Sequence, residues 1–181
     1  RGALLEHRPA GRLFRRDPDG TIQIVLDNLY YPTGVTLTPD ESALLVAETA
    51  GYAIHSVSLT GPHQGESQPL LTNMAGFPTN ISRFRNGRAW IGMSSARDPY
   101  LDDLADTPAF VRQAIWRIPE ILHPKPHPTT WAISIDPHGT QVGDIHGQTK
   151  TFHGAASATE LGNTLYLASP VSHDLLAVSL E

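Results

Sequence analysis

The sequence contains no cysteine, which excludes disulfides, thiolate catalysis and cysteine-based zinc sites while leaving the compartment open. Positive charge is sparse. Thirteen Lys and Arg stand against 18 Asp and Glu, for a formal net charge of −5, and no Lys/Arg stripe marks a nucleic-acid footprint. No apolar run approaches the roughly 20 residues that span a bilayer. The chain opens on Arg1, so a leader or anchor standing upstream would not be visible in it. There is no Gly-x-Ser-x-Gly nucleophile elbow, no His-Glu-x-x-His and no glycine-rich phosphate loop. His123 and His127 are four apart, but Pro124, Pro126 and Pro128 preclude a regular helix that would aim both at one metal.

What is abundant is turn chemistry. Fifteen Gly and 15 Pro punctuate 181 residues of which only 17% are charged, the signature of short strands joined by many turns. Gly11–Arg16 and Thr21–Leu26 flank Asp17-Pro18-Asp19-Gly20 and predict a hairpin. Strands follow at Gly34–Thr38, Ala43–Glu48, Ala53–Leu59 and Ser67–Leu71, and the rhythm restarts with Asn80–Phe84 and Arg88–Met93. Thr33-Gly34-Val35-Thr36-Leu37 lies over Thr79-Asn80-Ile81-Ser82-Arg83, and Leu44-Leu45-Val46 over Trp90-Ile91-Gly92. A longer echo sets Asp17-Pro18-Asp19-Gly20-Thr21 against Asp136-Pro137-His138-Gly139-Thr140, and Ser56-Val57-Ser58-Leu59 against Ala177-Val178-Ser179-Leu180. The spacing fits propeller blades of roughly 40–45 residues; a β-sandwich is the alternative reading of the strand pattern. The expected fold is all-β: a propeller of four-stranded blades.

Residues 95–130 interrupt the rhythm and read as an insertion within one blade. Thr107 can cap a helix over 107–118 and Pro108 suits its first position. Phe110, Val111, Ala114, Ile115 and Ile118 share a face, expected to be covered by the propeller or by a partner or membrane surface. Pro119 stops the helix, and Pro124, Pro126 and Pro128 make a stiff return.

The run Leu29-Tyr30-Tyr31-Pro32-Thr33-Gly34-Val35-Thr36-Leu37-Thr38-Pro39-Asp40-Glu41-Ser42 resembles the strictosidine synthase-like family, which includes adipocyte plasma membrane-associated protein and is related to gluconolactonases and paraoxonases. The likeness continues through Leu45–Thr49, Leu59–Pro62 and Gly65, is strongest at Gly76-Phe77-Pro78-Thr79-Asn80-Ile81 and Trp90-Ile91-Gly92, and extends to Leu165–Ser169. It implies a six-bladed propeller with its active site at the central channel, of which residues 1–181 are the C-terminal half. On that reading the open flanks expose Leu13, Ile24, Leu165 and Leu176, and the other half is supplied by a missing N-terminal segment or a second copy.

The resemblance also implies a channel that often holds calcium, through an Asn in Pro-Asn-Gly and an Asp-Asn pair in Pro-Asp-Asn at the starts of inner strands. Here those places read Pro32-Thr33-Gly34 and Pro78-Thr79-Asn80. Thr33, Thr79 and Asn80 are therefore expected to line the channel, with Asn80 the one surviving metal candidate. A neutral hydroxyl is a poor substitute for a carboxylate at calcium, so no cofactor is expected. Strictosidine synthase itself uses a late glutamate for acid–base work. That place falls near Ala155-Ala156, where no Glu stands, so that activity is not expected. His153, close by, is the candidate catalytic base. Glu48 is expected to pair structurally between blades, and Trp90 and Trp116 to serve packing. The expected function is a small-molecule hydrolase of the lactonase or arylesterase type; the alternative is a non-catalytic binding or scaffold propeller.

Overall fold

The computed structural model describes residues 6–105, 107–118 and 128–180. Thirteen strands run in chain order: β1 Gly11–Arg16, β2 Ile22–Leu29, β3 Pro32–Leu37, β4 Ala43–Glu48, β5 Ala53–Ser58, β6 Ser67–Leu71, β7 Gly76–Ile81, β8 Ala89–Ala96, β9 Thr130–Ile135, β10 Gln141–Gly147, β11 Ser157–Leu161, β12 Thr164–Ala168 and β13 Leu176–Ser179. They form four antiparallel meanders, β1-β2, β3-β4-β5-β6, β7-β8-β9-β10 and β11-β12-β13. The two complete sheets are the blades of a β-propeller.

Turn residues fix this register. Asp40 accepts from the Thr38 hydroxyl at 2.7 Å and the Ser42 amide at 3.1 Å, closing the β3–β4 hairpin. Asp136 accepts from the amides of His138 and Thr140 at 2.9 and 2.8 Å. The echoed turn at Asp17 uses the amide of Thr21 on Asp19 instead, at 2.9 Å. Both turns place a glycine, Gly20 or Gly139, at positive φ. They join β1 to β2 and β9 to β10, so the first hairpin holds the third and fourth places of a blade. Likewise the echoed segments at Ser56 and Ala177 are both third strands. The strand expected over Asn80–Phe84 begins four residues earlier, at Gly76: Gly-Phe-Pro reads as turn chemistry, but Phe77 is buried between two blades.

The core is divided into layers, each between neighbouring sheets. Leu45, Ala47 and Ile54 of the second sheet pack on Phe77, Ile91, Met93, Trp131 and Ile133 of the third. Trp90 and Ala132 on the far face of the third sheet pack on Ala158, Leu165 and Leu167 of the fourth. Leu29, Val46 and Val57 join the hairpin to the second sheet. Successive side chains point to opposite faces, and β4 and β9 are covered on both sides: β4 is apolar from Ala43 to Ala47, while β9 buries Thr130 and Ser134 among its apolar residues.

The flank residues differ from expectation. Leu165 is fully buried, and Leu13 and Leu176 are half-buried against their own layers; Ile24 is exposed as expected. The exposed apolar positions of the outer faces are Phe14, Ile22 and Ile24 on the hairpin and Leu161 and Tyr166 on the last sheet. Strand alternation accounts for this: Leu165 lies opposite Val178 and Glu160 on the inward face, while Tyr166 points out.

Among the described residues between β8 and β9 stand two helices rather than one, α1 Pro99–Ala105 and α2 Ala109–Trp116. Thr107 does not cap α2. Its hydroxyl donates to Leu104 O at 2.7 Å, and Pro108 occupies the capping position. Nor does the propeller cover the expected face: Phe110 and Ala114 are exposed, and Val111 and Ile115 half-buried. Trp116, expected to pack, is 52% exposed. Pro119, Pro124, Pro126, His123 and His127 lie outside the described residues. α1 is held by Arg97, whose Nε donates to Asp102 Oδ2 at 2.7 Å, whose other nitrogen reaches Asn73, and whose guanidinium lies 4.2 Å from the Tyr52 ring centroid. Burial and the adjacent Asp102 push the Tyr52 hydroxyl above its ordinary range.

Candidate functional site

The first strands of successive sheets lie side by side, and their starting ends bring the expected site residues together. Gly34 makes this possible: a Cβ there would strike Thr79 O and come within 2.8 Å of Asn80 Cα. Gly92 has the same role in the next blade, where a Cβ would lie 2.7 Å from the Ala156 carbonyl carbon. With both side chains absent, β3 closes on β7 and β8 closes on the segment leading into β11.

Thr33 is exposed, and its hydroxyl meets that of Thr49 at 2.6 Å. Thr49 in turn donates to Pro78 O at 2.7 Å. Thr49's proton is thereby used, so Thr33 donates to Thr49 and keeps lone pairs for a ligand. Thr79 is buried, its hydroxyl 2.6 Å from Gly92 O and 2.9 Å from Ala156 O. Asn80 is exposed; its Nδ2 donates to Ala156 O at 2.9 Å and its backbone amide to the same oxygen at 3.1 Å. Ala156 O is thus a junction between blades, and Asn80 presents its Oδ1 and one remaining amide N–H. His153 precedes this segment. Its backbone is tied to Ser172 Oγ, donating at 3.1 Å and accepting at 3.2 Å, and the residue is half-buried.

The donor set does not fit calcium. The ion wants six to eight oxygens with carboxylates among them, whereas Thr33, Thr79 and Asn80 offer only neutral oxygens. Among the described residues no group of three or more His, Asp or Glu side chains could hold a metal ion.

Among the described residues two carboxylates are buried, and both serve as struts. Glu48 accepts from the Tyr30 amide and lies 3.0 Å from His55 Nε2, bracing the corner between hairpin and second sheet. Glu160 accepts from Asn86 Nδ2, Arg88 Nε and Trp90 Nε1, each at 2.8 Å, across the third and fourth sheets. Arg88, then Trp90 and Asn86, hold its carboxyl down at about 2 against the burial that opposes ionisation. The Glu160 strap, Thr49 and the Arg97 clamp are not apparent from sequence. For Thr49 the signal is the β3–β4 register, which sets Pro32 opposite Glu48.

Strand order and blade-to-blade layers define a β-propeller, with a polar cluster at the inner strand ends. Its fold superposes on a gluconolactonase from Xanthomonas campestris with a TM-score of 0.60 at 18% identity, over 94% of this chain and 44% of that one. In sequence the chain is strictosidine synthase-like. The strictosidine synthase family profile matches residues 1–62. Strictosidine synthase-like 13 of Arabidopsis thaliana is 35% identical over 117 residues, 64% of this chain and 28% of that protein. The adipocyte plasma membrane-associated protein of Bos taurus is 30% identical over 176 residues, 92% of this chain and 42% of the relative. The chain therefore spans less than half the length of these proteins.

Proposed function

We propose that this chain forms part of a small-molecule hydrolase of the lactonase or arylesterase type, supplying a share of the channel wall. The observation that carries the reading is the convergence of Thr79 and Asn80 on Ala156 O, three residues beyond His153, with Thr33 at the same end of the inner strands, in a fold like that of a gluconolactonase. In this role His153 takes the proton of the attacking water. Asn80, through its remaining N–H, steadies the oxygen on which negative charge gathers as the ester carbonyl becomes tetrahedral. Thr79 positions Asn80 by sharing its anchor, Ala156 O. By the family likeness the place where strictosidine synthase keeps its glutamate falls near Ala155 and Ala156, so amine–aldehyde condensation is not proposed.

One observation favours the second reading, a non-catalytic binding or scaffold propeller: Thr79 and Asn80 both spend protons on Ala156 O. A screen of lactone and aryl-ester hydrolysis, with and without added calcium, decides. The hydrolase reading expects turnover without calcium that falls at least a hundredfold in His153→Ala, with unchanged thermal stability. Absence of turnover in both conditions, or full activity in His153→Ala, refutes that mechanism.

The partner belongs to the same proposal. Among the described residues no strand pairs with the outer edge of β1 or β13, and Phe14, Ile22 and Ile24 form an exposed apolar patch on one flank. Such edges and faces invite pairing. We propose that further blades, from an N-terminal segment or a second copy, cover them.

A further inference from the structure

Between β7 and β8 the chain reverses in two residues. Arg85 and Arg88 exchange backbone hydrogen bonds at 2.8 and 2.9 Å, and Asn86 and Gly87 between them stand at φ 50° and 77°. A two-residue hairpin turn with both central residues left-handed selects Asn-Gly, and that dipeptide is chemically labile. Glycine carries no side chain to shield its own amide nitrogen, and a Cβ at Gly87 would meet nothing within 4 Å. Both residues are exposed. Among the described residues no protein group accepts from the Gly87 N–H. The other asparagines, Asn28, Asn73, Asn80 and Asn163, precede Leu, Met, Ile and Thr, whose side chains crowd the amide that follows.

Asn86 is also a structural part. Its Nδ2 donates to Glu160 Oε1 at 2.8 Å, on the carboxylate that braces the third and fourth sheets through Arg88 and Trp90 as well. That bond ties the side-chain amide to Glu160. It must break before Asn86 Cγ can reach the Gly87 nitrogen.

We propose that Asn86-Gly87 is a self-modification site, a deamidation switch built into the strap between the third and fourth sheets and restrained by Glu160. The Gly87 amide gives its proton to solvent and its nitrogen bonds to Asn86 Cγ. The Cγ–Nδ2 bond breaks, and Nδ2 leaves as ammonia with a proton from solvent. Water then opens the imide ring at either carbonyl, giving aspartate, or isoaspartate with the backbone rerouted through the side chain. Nothing is oxidised or reduced. Either product sets a carboxylate where a donor stood, facing the Glu160 carboxylate, and like charges at that range oppose each other's ionisation. Isoaspartate also lengthens the backbone of a two-residue turn. Thr79 and Asn80 anchor on Ala156 O across the same two sheets, so the modification loosens the interface on which the candidate site is built.

Peptide mapping of the full chain by mass spectrometry, after incubation at mildly alkaline pH, tests the proposal. Asn86 is expected to exchange amide for acid at least tenfold faster than each of the other four asparagines, with isoaspartate detected by enzymatic methylation. Glu160→Ala, held below its melting temperature, should react faster still at Asn86. The modified chain, resolved by ion exchange, and the variant Asn86→Asp should both melt below the parent. Reaction at Asn86 no faster than at the other four overturns the site, and an unchanged rate in folded Glu160→Ala overturns the restraint. Melting of Asn86→Asp together with the parent overturns the switch, and this arm decides even where Glu160→Ala fails to fold.

Discussion

Glu160→Ala removes the acceptor of three hydrogen bonds at once and leaves Trp90 Nε1, Asn86 Nδ2 and the Arg88 guanidinium facing a void between the third and fourth sheets. The carboxylate is 4% exposed and Arg88 about one third exposed. Breaking one side of a buried ion pair costs roughly 3–5 kcal/mol, because the partner is left desolvated and unmatched. The lowered pKa, set by the same three contacts, has the same sign. A carboxyl moved from 4.5 to about 2 reflects about 3 kcal/mol of preference for the ionised form in the folded state. For a domain of this length that loss lowers the melting temperature by roughly 6–20 °C.

Acid dependence supplies a sharper test. Since the folded pKa lies below the unfolded one, the stabilisation is complete above about pH 5 and is lost as pH falls toward 2. Urea titrations at pH 7, 5, 4 and 3 should therefore show wild type and Glu160→Ala converging on acidification. Glu160→Gln, which keeps the shape and one acceptor but not the charge, should fall between them at pH 7. A loss under about 1 kcal/mol at pH 7, or a difference that stays constant down to pH 3, would refute the assignment of Glu160 as a charged strap.

Calorimetry should reveal no submicromolar calcium site, and any such site abolished by Asn80→Ala would overturn the donor-set argument. Arg97→Ala should expose residues 97–118 to limited proteolysis at least tenfold faster while hydrogen exchange in β8 and β9 stays slow; equal cleavage rates would show that the clamp does not hold α1. Gly34→Ala should destabilise by about 2 kcal/mol or more, since its Cβ meets backbone at Thr79 that cannot rotate away; a neutral result in urea denaturation would contradict the close approach. The 181-residue chain alone should sediment as associated species, and a monodisperse monomer at micromolar concentration would show that the flanks need no cover.

The blades were legible because turn chemistry and periodicity agree: Ala43–Glu48 and Ser67–Leu71 form as their patterns predict, and the echoed Asp-Pro-x-Gly turns occupy equivalent places. The boundary at Gly76 was not, because the Gly-Phe-Pro run obeys the rules for turns while burial of Phe77 overrides them. α1 left a signal in Asp98-Pro99 ahead of Leu101 and Leu104, which a capping residue followed by proline would flag. The exposure of the α2 face was not legible either, because helical periodicity tells which residues align and not whether anything stands opposite. At the site, Thr33, Thr79 and Asn80 were found through family likeness. Their hydrogen bonds depend on carbonyls at Pro78, Gly92 and Ala156, and a backbone acceptor has no residue type by which to be read.

The layered division of the core has a thermodynamic consequence. Each layer is shared by adjacent sheets only, so the molecule approximates a short one-dimensional array of units coupled to nearest neighbours. The second and third sheets are each coupled on two sides, whereas the β1–β2 hairpin and the β11–β13 sheet are each coupled on one. Opening free energies should therefore be graded, lowest in β1 and β13 and highest in β4, β8 and β9. Loss of a terminal unit forfeits one interface, while loss of a central unit forfeits two and severs the array. The candidate site is assembled from the starts of three successive units, the last of them terminal, so it survives fraying of the β1–β2 hairpin but is lost when the centre opens or the fourth sheet frays.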